Sequence, residues 1–441
     1  MDQLIPSLAA LVEPFRASFH PQVFPTSRAL LAGWMICLGP RTLSEVRQAT
    51  GPAAQRHHDT ADAVFHSAAW EWDEPGLRLA TPILIHLIPG GEAWIVVDDT
   101  LCHKRGAKVA FGGISLDAVL SSKKHKTLRF GVNRVVLGIV VELPFRPDRP
   151  FCLPVLWRPY RKEGSAGYQT RPQAAAAPAR RLAAANPDRV SWLVGDAAYV
   201  NAAALQGRPD NLQVIGPWPW KAAPDDLPGP RRPGQEGTPR KKGDRLAAPK
   251  VMIAEAATYP AEEQTMAFPK TTRTLRVQTI RNVLWDRGSK TEAVLVVLVR
   301  DPLGQWRDEA LVCTDPTVSA PFVILGYCRR RSVGVAFFDG KQHLGLHDPR
   351  VRSERVVERA HPMAWFAGSL TIPWYCVKGH EGCHVVEGRP RYTTKITPTF
   401  TDMLGALRLQ MWESKVYGES GEEAPSPGCI QSLLHKLAAV A

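Results

Sequence analysis

Two segments constrain the fold of this chain more than any others. EAWIVVDDT (Glu92–Thr100) and RVSWLVGDAAYV (Arg189–Val200) are strongly apolar runs of strand length. The first finishes in Asp98 and Asp99, the second in Asp196. Such runs read as buried strands, and a carboxylate at the tip of a buried strand is held rigidly at the loop edge, where sites form. Their surroundings extend the pattern. RVVLGIVVEL and FCLPVLWRPY are further β-branched or aromatic runs bounded by turn residues, and NLQVIGPWPW is another strand. RPQAAAAPARRLAAANP is helical in composition, with Pro178 expected to kink it or to mark its true start. Strand, hairpin strands, helix, strand, strand is an α/β order.

The flanks differ. Through SLAALVEPF and SRALLAGWMICL apolar residues recur at three- and four-residue steps, the helical period. RTLSEVRQATG reads either as the short helix of a helix-turn-helix unit ending at Gly51 or as part of a plain helical bundle. Residues 221–250 are rich in proline, glycine and basic residues and should form an exposed flexible loop. TRTLRVQTIRNVLW, TEAVLVVLVRD and DEALVCTD then read as strands, joined by the turn DPLGQW. YCRRRSVGVAFFDGK (Tyr327–Lys341) reads as one amphipathic helix, and the chain ends in helical segments such as TDMLGALRLQMWESK.

Charge narrows the partners. The 55 Lys+Arg against 42 Asp+Glu give a formal charge of +13 and a pI near 9.5. That excess suits a partner made of phosphates, and suits equally a basic but ordinary protein. MDQLIPSLAALVEPFR lacks the basic start and apolar core of a signal peptide. The stretch Leu30–Gly39 is too short to span a bilayer. The eight cysteines are scattered, unlike a disulfide framework. A reducing cytoplasm is therefore expected, with no membrane partner. Cys376, His380, Cys383 and His384 match no common zinc-finger spacing and lack a second, distant ligand pair, so a surface loop is expected there.

Acids brought together on two strands repel unless a cation lies between them. Mg²⁺ takes such oxygen ligands, usually one or two carboxylates plus substrate phosphates. Acids at strand ends are also common turn formers. Two of them, each after a strongly apolar strand in a basic protein, point to a metal-dependent phosphodiester site. Two-metal catalysis fits, and a third carboxylate normally completes the set.

At this point the chain resembles bacterial insertion-sequence transposases of the DDE superfamily, on the branch whose third motif is Tyr-x2-Arg-x3-Glu-x6-Lys. The resemblance covers roughly residues 20 to 415. It is carried by VVDDTLCHKRG, AVLSSKKHKTLRFGVNRVVLG, LVGDAAYV, VRDPLGQWRDEALVCTD and KQHLGL, and by the spacing Tyr327, Arg330, position 334, Lys341. It implies an RNase H-like mixed-sheet core interrupted by a β-rich insertion, with helical terminal regions. The implied boundaries are a DNA-binding helical region over 1–90, the first part of the core over 91–220, linker and insertion over 221–320, the core helix over 321–360, and a mostly helical 361–441. The resemblance further implies binding to double-stranded DNA with terminal inverted repeats and to target DNA. Strand cleavage and transfer would use Mg²⁺, with Mn²⁺ able to substitute, in a homodimer or larger synaptic complex. The setting would be the bacterial cytoplasm, at the nucleoid when bound to DNA.

By position, Asp98 matches the first catalytic aspartate, with Asp99 the fallback, and Asp196 matches the second. Tyr327, Arg330 and Lys341 match DNA-contacting positions, and Lys104, Lys123 and Lys124 join them as expected DNA-binding residues. The third acid falls on Gly334, a departure from the family. On one continuous helix the near residues sharing its face are Arg330, Arg331, Phe337, Phe338 and Lys341, none acidic. Asp339 lies about 140° round. An acid is missing, so impaired cleavage is expected. The alternative is an inert or co-opted DNA-binding protein. Trp306 reads either as an aromatic that stacks on an extruded base or as a cap on the β-rich segment.

Overall fold

Helices dominate both ends of the chain and strands its middle. The structure, a computed structural model, describes residues 4–51, 57–106, 108–122, 124–230, 237–255, 258–269, 271–381, 395 and 397–419. Helices α1 (Pro6–Val12), α2 (Phe24–Ile36), α3 (Leu43–Thr50), α4 (His58–His66) and α5 (Asp73–Leu87) come first. Strands β1 (Ala93–His103), β2 (Gly112–Leu116), β3 (Leu128–Leu143) and β4 (Arg146–Pro159) follow. Next are α6 (Arg171–Ala184), β5 (Ser191–Val194), α7 (Ala202–Leu205), β6 (Leu212–Pro217), β7 (Asp225–Asp226) and α8 (Pro249–Ala254). Then come β8 (Glu262–Phe268), β9 (Thr271–Leu284), β10 (Ala293–Arg300) and β11 (Glu309–Cys313). The chain returns to helix in α9 (Ala320–Cys328), α10 (Arg331–His343), α11 (Glu354–Ala360), α12 (Met363–Val377) and α13 (Phe400–Glu419). The result is a mixed α/β protein with an 11-stranded sheet and helices at both ends, consistent with an RNase H-like core.

The chain divides into two compact units that do not follow chain order. One comprises Gly91–Asp98 and Glu163–Ser332. In it the start of β1 pairs in parallel with β5, β5 in parallel with β6, and β6 antiparallel with β11. β10 and β9 continue the sheet antiparallel from β11, so the strands after residue 260 extend the edge of β6. Pure Val/Leu/Ile runs suit these central strands, because both faces are covered. Residues 294–299 of β10 are buried throughout.

The other unit comprises Met1–Gly90, Asp99–Lys162 and Val333–Ala441. Its β3–β4 hairpin carries α5 and α12. A Cβ on Gly76 would lie 2.2 Å from the Val155 carbonyl oxygen, so α5 seats there only through a glycine. The first helices and the last share this unit. The buried Arg408 of α13 donates to the Met35 carbonyl, and Lys415 donates to the carbonyls of Ala49 and Thr50. As expected, α3 stops at Gly51, which takes a φ of +87°.

Three local expectations need correction. β1 does not finish at the two acids. It runs on to His103, because Thr100, Leu101 and Cys102 are buried and continue the strand. Pro178 does not start α6. The helix begins at Arg171 behind a capping box of Thr170 and Gln173, and it runs through the proline. Tyr327–Lys341 is not one helix. α9 ends at Cys328 and α10 begins at Arg331, with Arg329 and Arg330 in the turn between them. At that break Ser332 donates from both its amide and its hydroxyl to the Arg329 carbonyl.

A buried polar group ties the second unit together. Arg134 donates to the Val357 carbonyl and lies 3.1 Å from His361 Nδ1. Burial, with help from Arg134, holds His361 well below the usual histidine range. Burial takes His347 down to about 3. A histidine kept neutral in the fold stabilises above its unfolded pKa of about 6.5, and that contribution is lost as pH falls and the unfolded chain takes up the proton. Urea unfolding should therefore show stability declining from pH 7 to pH 5. In His361→Asn the decline should be shallower by up to about 1.4 kcal/mol per pH unit, and an unchanged slope would refute this origin.

Candidate active site

The parallel register of β1 and β5 places the first two acids. Trp94 pairs with Trp192 and Val96 with Val194. Continued by two residues, the same register sets Asp98 beside Asp196. Both side chains then point to the face that carries Trp94 and Trp192, because residues two apart share a face. Gly195 permits the turn beyond β5. A Cβ there would approach Tyr199 Cβ and Val97 Cγ1 at 3.0 Å. Asp196 does form a turn, accepting from the Ala198 amide at 2.8 Å through Oδ1. Its Oδ2 faces elsewhere.

That second oxygen lies 3.5 Å from Arg330 Nη2, and the same nitrogen lies 3.8 Å from Asp98 Oδ2. One guanidinium thus spans both carboxylates. The side chains are 25% (Asp98), 34% (Asp196) and 27% (Arg330) exposed, so the group is partly screened yet reachable from solvent.

α9 delivers the arginine. Ser319 caps its start by accepting from the Phe322 amide. Phe322 packs on Trp94 and Trp192, with ring centroids 5.1 and 4.8 Å apart. Arg329 lies 4.8 Å over the Trp94 ring. Gly326 makes the close seating possible, since a Cβ there would meet the Trp94 ring at 2.5 Å. The C-terminal end of α9 is thereby fixed, with Tyr327 and then Arg330 presented toward the acids. Burial raises the Tyr327 pKa; Arg330 opposes that shift, and Glu309 and Asp196 add to it.

The remaining expected residues fall as follows. Asp99 points away from Asp98 by strand alternation and accepts from Asn133 Nδ2 at 2.8 Å. Lys104 donates to the carbonyls of His347 and Pro349, and burial lowers it to about 8. Lys341 is lowered by burial too. Lys124 is exposed, and Lys123 lies outside the described residues, as do Cys383 and His384 of the weighed zinc group. Gly334 is exposed on the first turn of α10, and an ideal Cβ there meets no atom within 4 Å. Asp339 is half-buried and pushed up to about 7, with Arg149 opposing the shift. Trp306 lies between Arg273, whose guanidinium is 4.4 Å from the ring centroid, and Phe268 at 4.8 Å, as a capping residue would.

Glu309, at the start of β11, was not among the expected residues. Its carboxyl is raised by burial and pulled back by Arg307 and Arg330.

The donor set suits a hard divalent cation. Two carboxylates on neighbouring parallel strands supply oxygen ligands of the kind that Mg²⁺ or Mn²⁺ takes, and Arg330 holds the cation position between them. Among the described residues one three-member group has metal-compatible spacing, His57, His58 and Asp59. All three are exposed, and both histidines pair with Asp59 at 3.1 Å. No described helix is long and apolar enough to cross a membrane.

The sequence model of one family, described as DDE superfamily endonuclease, matches residues 14–292. No curated protein matches the chain.

Proposed function

Because the chain belongs to the DDE superfamily endonucleases, we propose that it is an insertion-sequence transposase, acting on DNA that carries terminal inverted repeats. Cleavage in this copy is slow because Gly334 stands where the third acid belongs. The observation that carries this reading is the Asp98–Asp196 pair, two residues beyond the paired Val96 and Val194 and spanned by one guanidinium.

Asp98 and Asp196 would hold divalent metal. When bound, the metal supplies an activated water or hydroxyl and stabilises the leaving oxygen. Arg330, released from the two carboxylates, is placed to pair with a phosphate, for which a planar guanidinium is well suited. Tyr327 keeps its proton at neutral pH and can donate a hydrogen bond to a phosphate oxygen. A net charge of +13 supports a salt-dependent hold on the DNA backbone. In the synaptic complex two or more copies would act together.

The test is incubation with DNA bearing the flanking inverted repeat, with Mg²⁺ or Mn²⁺. Weak, metal-dependent nicking is expected, and Asp196→Asn should abolish it while retaining DNA binding. Nicking unchanged in Asp196→Asn would sink the assignment. The second reading, an inert binding protein, is favoured by Gly334 and predicts binding to the repeat with no nicking in either metal.

A further inference from the structure

We propose that the β2–β3 hairpin is an arm that deforms DNA. Val119 and Leu120 at its tip wedge between base steps of the duplex, while Lys124 and Lys126 hold the adjacent phosphates. This rests on the reading above that the chain acts on DNA. Ile114, Leu116, Val119, Leu120 and Leu128 are all exposed, Val119 by 80%. The other exposed large hydrophobics among the described residues are scattered along the chain. Single apolar side chains at a surface need no explanation, but a group of them marks a contact surface. Leu116 pairs with Leu128 and Ile114 with Phe130. Paired residues share a face, so Ile114, Leu116 and Leu128 lie together, and Val119 and Leu120 follow in the connection between the strands.

Hydrogen bonds fix that connection. Asp117 Oδ1 accepts from the amides of Val119 and Leu120 at 3.0 and 3.2 Å. Its Oδ2 meets His103 Nε2 at 2.5 Å. Ser121 Oγ accepts from the Thr127 amide, and Thr127 Oγ1 donates to the Leu120 carbonyl. The Ser122 amide donates to the His125 carbonyl, and the His125 amide to Ser122 Oγ. The backbone beneath Val119 and Leu120 is thus tied on both sides, with the two side chains left in solvent. An apolar tip fixed in this way loses little freedom on binding.

Charge chooses the occupant. Arg105, Lys108, Lys124, Lys126 and Arg129 are exposed in and beside the hairpin. Between Lys104 and Gly131 the one acid is Asp117, which is buried and paired with His103. Two copies of the chain joined through this surface would set its cations against each other, because a two-fold interface brings the same patch to itself. Duplex DNA fits both properties. Its phosphates neutralise the lysines with release of counterions, and aliphatic side chains can insert between base steps and kink the helix. An anionic bilayer offers similar chemistry, and DNA is favoured because the chain is a DDE superfamily endonuclease. Arg129 pairs with Ser115, on the other face of the hairpin from Leu128, so the phosphate contacts are assigned to the lysines of the connection.

The full-length protein is titrated onto a duplex bearing the flanking inverted repeat. Binding is read by anisotropy over a salt series, and bending by energy transfer between dyes at the duplex ends. Val119→Ser with Leu120→Ser should raise Kd at least about tenfold and lose the bend, with the salt dependence unchanged. Lys124→Ala with Lys126→Ala should lower the slope of log K against log salt by about two. If the serine pair folds by circular dichroism and matches the wild type in Kd and bend, the tip does not enter the duplex and the proposal falls, while the reading of the aspartate site stands. If that pair misfolds, Val119→Ser alone decides, and wild-type Kd and bend there overturn the proposal. An unchanged salt slope in the alanine pair overturns the phosphate contacts. The serine pair may instead keep its DNA affinity but lose co-sedimentation with phosphatidylserine vesicles, or turn a dimer into a monomer on ultracentrifugation. Either result gives the surface to a membrane or a second copy and overturns the proposal. A wild type that binds no duplex overturns both the arm and the reading beneath it.

Discussion

Gly334→Glu is expected to raise metal-dependent nicking of inverted-repeat DNA by about a hundredfold or more, the scale that one well-placed charged group commands in an active site. The position is the one that the Tyr-x2-Arg-x3-Glu-x6-Lys motif gives to an acid. Nothing in the local structure opposes the change. The residue is exposed, and an ideal Cβ meets no atom within 4 Å. Removing a glycine from the body of α10 should add about 0.5–1 kcal/mol of stability, so any gain in cleavage cannot be blamed on altered folding. The check is single-turnover nicking in Mg²⁺ and Mn²⁺ beside a thermal melt. Equal rates in the two proteins would show that position 334 does not feed the site.

Gly326→Val should have the opposite effect on both quantities. The new side chain would begin 2.5 Å from the Trp94 ring. That ring is buried and packs against Phe322 and Trp192. α9 must then lift or tilt, at a cost of about 1–3 kcal/mol from overpacking. Tyr327 and Arg330 ride on the end of this helix, so their approach to Asp98 and Asp196 is lost with it. Residual nicking should fall to background while the protein remains folded at room temperature. Wild-type nicking and an unchanged melting temperature would together refute the seating argument. The two glycines lie eight residues apart and answer differently because one faces a tryptophan and the other faces space.

Much of the site was legible in the sequence for a local reason. Asp98 and Asp196 each follow an apolar run, and the strands beneath them are β1 and β5 as read. The hairpin β3–β4, the strands of the β-rich segment and the stop at Gly51 were equally local signals. Where reading failed, a neighbouring contact overrode the local cue. β1 passes its acids because buried residues follow them. The helix over 327–341 breaks because Ser332 takes the Arg329 carbonyl, which no periodicity of apolar residues reveals.

By itself, then, the sequence determined which segments would be strands, where carboxylates would be held rigidly, and that the motif position at 334 carries no acid. Those properties depend on residues within a few positions of one another. Tertiary structure alone decided that Asp98 rather than Asp99 faces Asp196 and that Arg330 spans the pair. The first follows from strand register and the second from the seating of α9 on Trp94, both across long sequence separations. A shift of one residue in the register of β1 would turn Asp98 away from that face and bring Asp99 to it.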